Sequence, residues 1–452
     1  MEVQMDKIRA YIDAHKDEYL SLLQKFLRQP SISTTNTGMR EMADLVEETL
    51  RNMGFEVEEI PTNGYPIVYG FLKGEGDRTL MFYNHYDVQP VDPIDEWDVD
   101  PFSGTIKDGM IISRGTADNK GQMLSRLMAI DAYQKVYGKP PMNIKVVYEG
   151  EEEVGSPHLA GFPKLYPDKV AADGVVWEGG GRDTGGPAHI TLGVKGLAYV
   201  ELRVRTANID AHSSNSPIWK NAAWRLVWAL NTLKNERDEI LIDGFYDDVA
   251  ALTDSDMAFL NSIPYDEKTV LERMEMDGFV NDVTGVELLK KLLYTPTCNI
   301  CGIKSGYIEQ GSKTVLPAYA AAKLDFRLVP NMTRERVVDL LRKHLDKHGF
   351  TDVEIVSMPG APAYRTNPDN PLVQAAIAAS EETYHIPPAI YPNSSGTMGV
   401  YHFCHDTGLP CVMYGVANEF SQVHAPNENI YVEDFILGIK MTASVIDKFS
   451  KA

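Results

Sequence analysis

The sequence predicts an α/β protein: a mostly parallel-sheet domain into which a smaller α+β domain is inserted. Three observations predict it. The first third alternates short apolar runs with helix-periodic segments joined by short connections, as repeated strand and helix units do. Beyond about Ile190 the apolar period drops to two, the pattern of half-exposed strands. Prolines and asparagines from Pro362 to Pro371 then mark a crossing back, after which strand and helix signals resume to the end. The boundaries implied are residues 1–188 and 369–452 for the main domain and 189–368 for the inserted one.

The elements follow in order. Met1 to Gln24 mixes acids, bases and tyrosines in an amphipathic helical pattern, without the charged-then-apolar layout of a signal peptide. Leu80 to Tyr83 is an apolar run suited to a buried strand, and Ile106 to Ile112 turns at Asp108-Gly109 like a hairpin. Leu124, Leu127, Met128 and Ala132 recur at helical spacing until Gly138 and Pro140-Pro141 stop the helix. Ile144 to Tyr148 and Val175 to Trp177 read as two more buried strands. In the inserted segment Val200, Leu202 and Val204 alternate with Glu201, Arg203 and Arg205. A helix is expected there with Ala223, Leu226, Val227, Leu230 and Leu233 on one face. Ala320 to Leu328 alternates again, and Val337, Leu340, Leu341 and Leu345 form a second helical stripe.

Composition narrows the function. A chain of 452 residues with 44% hydrophobic and 24% charged residues is long enough for at least two ordinary cores. No apolar run reaches the length needed to span a bilayer, so no membrane association is expected, and without a signal-peptide layout a cytoplasmic location is the default expectation. The formal charge of −21 would repel a phosphate backbone, so no nucleic-acid partner is expected. Cys298, Cys301, Cys404 and Cys411 are too few for a disulfide scaffold. Cys298 and Cys301 form a C-x-x-C pair, but no second pair exists to complete a structural zinc site.

The chemistry lies in acids and histidines placed just after the expected strands, where an open α/β sheet presents its ligand-binding edge. His85 and Asp87 follow the Leu80 to Tyr83 run as His-x-Asp. Asp118 stands before a helix, Glu152-Glu153 follow Ile144 to Tyr148, and Glu178 follows Val175 to Trp177. Imidazole and carboxylate are the donors zinc takes when a reactive position stays open, and a shared carboxylate suits a two-metal site. Of two adjacent glutamates, one can bind metal while the other takes a proton. Taken alone, the acidic run Glu149 to Glu153 would more simply be solvated surface.

Five segments occur in order: His85-Tyr86-Asp87, Arg114 to Gly121, Glu149 to Ser156, Asp210 to Ser213, and Gln422 to Glu428. Together they resemble the dizinc metallopeptidase family that includes carnosinase, cytosolic nonspecific dipeptidase, aminoacylase, carboxypeptidase G and succinyl-diaminopimelate desuccinylase, and most closely its dipeptidase branch. The resemblance spans nearly the whole chain. It implies a phosphorylase/hydrolase-like catalytic domain, an inserted lid and dimerisation domain, a homodimer and a small peptide substrate.

Carried over residue by residue, the resemblance implies that His85 and Glu178 bind one divalent ion, Glu153 and His424 the other, and that Asp118 bridges them. The two ions are expected to be Zn2+, although these donors also accept Mn2+ or Co2+. Asp87 would orient His85. Glu152 would be the general base and then the acid. His212 would reach an active site, often that of the partner subunit, and stabilise the oxyanion. Arg327, in Arg-Leu-Val-Pro, would grip the substrate carboxylate, with Thr314 nearby. Ser395 and Gly396 stand where relatives carry a Gly-Gly-Ser type loop that cradles the same carboxylate, and Asn393 to Thr397 departs from that pattern.

The expected reaction is metal-dependent hydrolysis of the amide bond of dipeptides or small peptides with a free carboxylate. Two alternatives remain: an N-acyl or N-succinyl amino acid deacylase, and a non-catalytic binding protein that keeps only the fold. Gly179 to Gly186 lacks the lysine and hydroxyl residue of a phosphate loop and reads as a turn. His158, His189, His402 and His405 match no metal position, and neither a Gly-x-Ser-x-Gly elbow nor a His-Glu-x-x-His helix occurs.

Overall fold

The computed structural model describes residues 4–452. Contacts divide the chain into two units. One runs to Gly193 and resumes at Arg365–Pro392 and His402–Ala452, while the other comprises Val194–Tyr364 and Asn393–Tyr401.

In the first unit an eight-stranded sheet runs in the order Glu56–Ile60, Ile67–Leu72, Asn143–Glu149, Thr79–His85, Gly174–Trp177, Cys411–Met413, His189–Thr191, Ala389–Tyr391. Its central strands, from Asn143–Glu149 across to Cys411–Met413, are all parallel. They are largely apolar rather than alternating because both faces are covered: every residue of Asn143–Glu149 and Gly174–Trp177 is buried. The Gly121–Tyr137 helix is buried all along its first ten residues, and Val432–Lys451 packs against both it and Pro371–Tyr384. Tyr137 ends the former helix, with Gly138 at φ 83° as its cap.

The expected hairpin forms between Thr105–Lys107 and Met110–Ile112, with Asp108 and Gly109 both at positive φ. The amphipathic N-terminal stretch becomes two helices, Met5–Ala14 and Lys16–Arg28; residues 1–3 of that stretch lie outside the described part.

The second unit carries a four-stranded antiparallel sheet in the order Asn299–Ser305, Tyr319–Leu328, Gly196–Arg205, Glu354–Ser357. Val200, Leu202, Val204, Ala320, Ala322, Leu324, Phe326 and Leu328 share one core with the Ala222–Leu230 and Arg334–Lys347 helices. One expectation changes. Val227 is exposed, and the buried face of its helix is Ala222, Leu226, Ala229 and Leu230. Spacings of 4, 7 and 8 from Ala222 hold that stripe together, which turns Val227 outward with Trp224 and Trp228.

Candidate metal centre

The donors gather because neighbouring parallel strands end at the same edge. His85 is the last residue of Thr79–His85, and it pairs in register with Glu149 at the end of the next strand. The chain turns immediately after Glu149, so Glu152 and Glu153 fall on a short 3-10 turn at that edge. Glu178 directly follows Gly174–Trp177, Asp118 lies on the loop entering the Gly121–Tyr137 helix, and His424 lies on the loop after Cys411–Met413 at φ 63°.

Two groups of donors result, with Asp118 in both: His85, Asp118 and Glu178, and Asp118, Glu153 and His424. Within each group the donor atoms lie within 4.8 Å of one another. His85 Nε2 stands 2.9 Å from Asp118 Oδ1 and 3.0 Å from Glu178 Oε2. His424 Nε2 stands 3.0 Å from Asp118 Oδ2 and 3.1 Å from Glu153 Oε2.

With His85 neutral, its contacts at Nε2 set lone pair against lone pair. His85 Nδ1 faces the Asp87 carbonyl oxygen at 3.0 Å, so in a neutral ring it carries the proton and Nε2 presents a lone pair to two carboxylate oxygens. Glu178 Oε2 and Glu153 Oε1 are buried without a hydrogen-bond partner. A buried carboxylate oxygen left so is costly, and a cation among the lone pairs removes the cost. The donor set and its orphaned oxygens therefore fit a pair of divalent ions.

The electrostatics point the same way. His424 is pushed up to about 10 by its contacts with Asp118 and Glu153, and His85 is raised well above its ordinary value by Glu178, Asp118 and Asp87 despite burial. Both imidazoles thus report a pocket that favours positive charge. Glu152 is pushed up to about 9, first by burial and then by Glu178, with Asp118 and Glu153 adding to it and His85 opposing. Ions in the two groups would offset that carboxylate repulsion.

Asp87 does more than face the imidazole. Its Oδ1 is 3.3 Å from His85 Nδ1, and its two oxygens accept the backbone N–H groups of Glu152 and Glu153 at 3.2 and 3.1 Å. One buried carboxylate therefore ties a histidine donor to the turn that carries both glutamates. Gln89 Nε2 donates to Glu153 Oε2 at 3.0 Å, a partner that nothing in the sequence singles out.

Glu428 is the other residue whose role the sequence leaves open, although it closes the Gln422 to Glu428 segment. Its fully buried carboxylate accepts from Arg114 Nη1 (2.8 Å), Gly115 N (2.9 Å), Ala117 N (2.8 Å) and Asp118 N (2.9 Å). The loop curls around it because Gly115 adopts φ +86°, where a side chain would also press on Val88.

The remaining expected residues lie in the second unit. His212 is exposed on Ala211–His212, with Nδ1 2.8 Å from Ser214 Oγ and Nε2 3.3 Å from Thr314 Oγ1. Arg327 Nη1 donates to Thr397 Oγ1 at 2.9 Å, and its Nε is 3.4 Å from Asp325. The structure so brings Arg327 beside the loop that holds Ser395 and Gly396. Lys195 is anchored to that loop through its backbone, its N–H donating to the Gly396 carbonyl at 3.0 Å.

The chain is similar along its whole length to the Cys-Gly metallodipeptidase dug1 of Schizosaccharomyces pombe, 27% identical over 484 residues, with 100% of this chain and 99% of the relative covered. Among solved structures it is similar to the M20 family metallo-carboxypeptidase Sso-CP2 from Sulfolobus solfataricus, with a TM-score of 0.87 and 38% identity over 96% of this chain and 100% of that one. It is also similar to human carnosine dipeptidase 1, with a TM-score of 0.75 and 26% identity over 99% and 100% of the two chains. The match to peptidase family M20/M25/M40 extends over residues 81–448, and the chain belongs to that family.

Proposed function

We propose that this chain is a metal-dependent dipeptidase that hydrolyses the amide bond of dipeptides and short peptides bearing a free carboxylate. The observation that carries the reading is the pair of three-donor groups sharing Asp118, with Glu152 on the same turn as Glu153. The names of its relatives, a Cys-Gly metallodipeptidase and a carnosine dipeptidase, support the substrate class, and they do not favour an N-acyl amino acid deacylase.

His85, Asp118 and Glu178 would hold one ion, and Asp118, Glu153 and His424 the other; zinc is the expected metal for this mixture of imidazole and carboxylate. The chemistry such a pair supplies is polarisation of the scissile carbonyl and acidification of water. Glu152 takes the proton of the attacking water and returns it to the leaving amine. Asp87 holds the backbone of Glu152 in place for both transfers. Arg327 binds the substrate carboxylate: its guanidinium has five donors and spends one on Thr397. Thr314, Ser395 and Gly396 line that end of the substrate, and His212 donates to the tetrahedral oxyanion.

The inserted segment acts as lid and dimerisation domain. Support for a homodimer is the exposure of Ile209, Ile218, Trp219 and the stacked pair Trp224 and Trp228 on that unit, large apolar side chains of the kind that subunit interfaces cover. A cytoplasmic location is supported by four free cysteines, and no helix among the described residues is long and apolar enough to cross a membrane.

A second reading has its own observation. The 38% identical structure is a metallo-carboxypeptidase, which extends the substrate range to longer peptides cleaved at the carboxyl end. The test is a panel of dipeptides, tripeptides, longer peptides and N-acetyl amino acids given to metal-stripped enzyme resupplied with zinc, manganese or cobalt. Preferential dipeptide cleavage restored by metal is the expected result. Turnover of the acylated amino acids alone would overturn the dipeptidase reading.

A further inference from the structure

Two polar side chains sit on successive turns of the buried Gly121–Tyr137 helix. Gln122 is 4% exposed and Arg126 is 1% exposed, and a spacing of four puts them on one face. Arg126 Nη1 donates to the Tyr83 carbonyl and to Asn84 Oδ1, both at 2.7 Å. Its Nη2 donates to the carbonyls of Trp177 at 2.6 Å and Tyr414 at 3.2 Å. One guanidinium thereby joins the carboxyl ends of three adjacent strands. A buried arginine without a carboxylate hydrogen-bond partner carries a desolvation cost, so its retention in the core calls for a task that apolar packing would not perform.

The neighbours of the metal donors show what that task is. Gln122 Oε1 accepts from Gly179 N at 2.8 Å and its Nε2 donates to the Ala117 carbonyl at 3.1 Å. Glu178 is therefore pinned on both sides, at Trp177 by Arg126 and at Gly179 by Gln122. Asp118 is pinned at Ala117 by Gln122 and at Asn119, whose side-chain oxygen accepts from Asn84, the residue Arg126 holds. His85 directly follows the same Asn84. Every donor of the His85, Asp118 and Glu178 group thus has a chain neighbour fixed by these two side chains or by Asn84. Glu153 and His424 do not: Glu153 is held by Asp87 and Gln89, and His424 sits on the Gln422 to Asn429 loop.

We propose that Gln122 and Arg126 are positioning residues that set the spacing of the His85, Asp118 and Glu178 donors, and so the divalent-cation affinity of that half of the centre more than of the half that shares only Asp118 with it. The inference rests on the two-metal reading above. Removing such outer partners costs about 10–100-fold in metal affinity when they orient the donors.

The experiment is titration of metal-stripped chain with Co2+, followed by calorimetry and visible absorption, for the parent, Arg126→Met, Arg126→Lys and Gln122→Met, with folding checked by circular dichroism. The parent should bind two ions. Arg126→Met should weaken one site about 10–100-fold and the other, which shares only Asp118, clearly less, and Arg126→Lys should lie between, because an ammonium reaches fewer of the four oxygens. A folded Arg126→Met that binds both ions as the parent does, or weakens both sites equally, would overturn the proposal. If Arg126→Met does not fold, Gln122→Met, which removes no charge, decides by the same two criteria. A parent that binds one ion or none would instead overturn the two-metal reading, and this inference with it.

Discussion

The backbone N–H of Asp118 donates to Glu428 Oε1 at 2.9 Å, and Glu428 lies four residues after His424. One buried carboxylate so links the loop of the donor shared by both groups to the loop of a donor that belongs to one group only. Glu428→Gln replaces one acceptor oxygen with an NH2 group facing the donors, and leaves Arg114 without its charge partner. Breaking a buried pair in this way costs about 3–5 kcal/mol. The loss should show as a lower urea midpoint of the sheet-bearing unit, and because Asp118 stands in both donor groups, both proposed metal sites should weaken together. A variant with unchanged midpoint and metal affinity would refute the role.

Glu152→Gln should retain both ions and lose hydrolysis by about 10²–10⁴-fold, the range for a missing general base. Metal analysis beside steady-state rates on a dipeptide checks this. Retained turnover with two bound ions would remove Glu152 from the mechanism.

Metal removal should lower stability as well as activity. With free ion at about 100 times its dissociation constant, each site adds about 2.7 kcal/mol to the folded state. Melting temperature should therefore fall on chelation and recover with added ion. It should recover less in His424→Ala, which loses a donor from one group only.

Lys195 offers a pH signature in the second unit. Burial, with Arg327 nearby, lowers its ammonium from the ordinary 10.5 to about 8. Between those values the unfolded chain binds more protons at this position, so stability rises with pH across the window, and the cost is fully present below pH 8. The shift corresponds to about 3 kcal/mol. Lys195→Met removes the titration, so its stability advantage over the parent should shrink as pH rises from 8 to 10.5. Denaturation midpoints of the two chains across that range measure it, and a constant difference would contradict the assignment.

Arg327→Met should raise KM for dipeptides by about one to two orders of magnitude, as expected for removing a charge-assisted grip worth about 1.5–3 kcal/mol. The effect on an amidated dipeptide, which lacks the carboxylate, should be small. Equal losses on both substrates would assign Arg327 to folding instead.

The alternation of Val200 to Val204 and of Ala320 to Leu328, the apolar runs at Leu80 and Ile144, and the stop at Gly138 were legible because each reflects a local period or a backbone preference. The same locality explains the error at Val227. Composition allows more than one apolar stripe on a helix rich in Trp, Leu and Val, and only packing selects which is buried.

By itself the sequence determined the domain class, the strand-edge positions of His85, Glu152, Glu153 and Glu178, and, through five ordered segments, the resemblance that ranked them as donors and base. Tertiary structure gathered the expected donors into two groups that share Asp118, and it alone decided that Asp87 grips the Glu152–Glu153 turn, that Glu428 clasps the Asp118 loop, and that Gln122 and Arg126 reach the strand ends. The reason is physical. A strand end or a helical period is written within a few consecutive residues, whereas these hydrogen bonds join residues up to 314 positions apart, and only the stacking of parallel strands brings them within 3.2 Å.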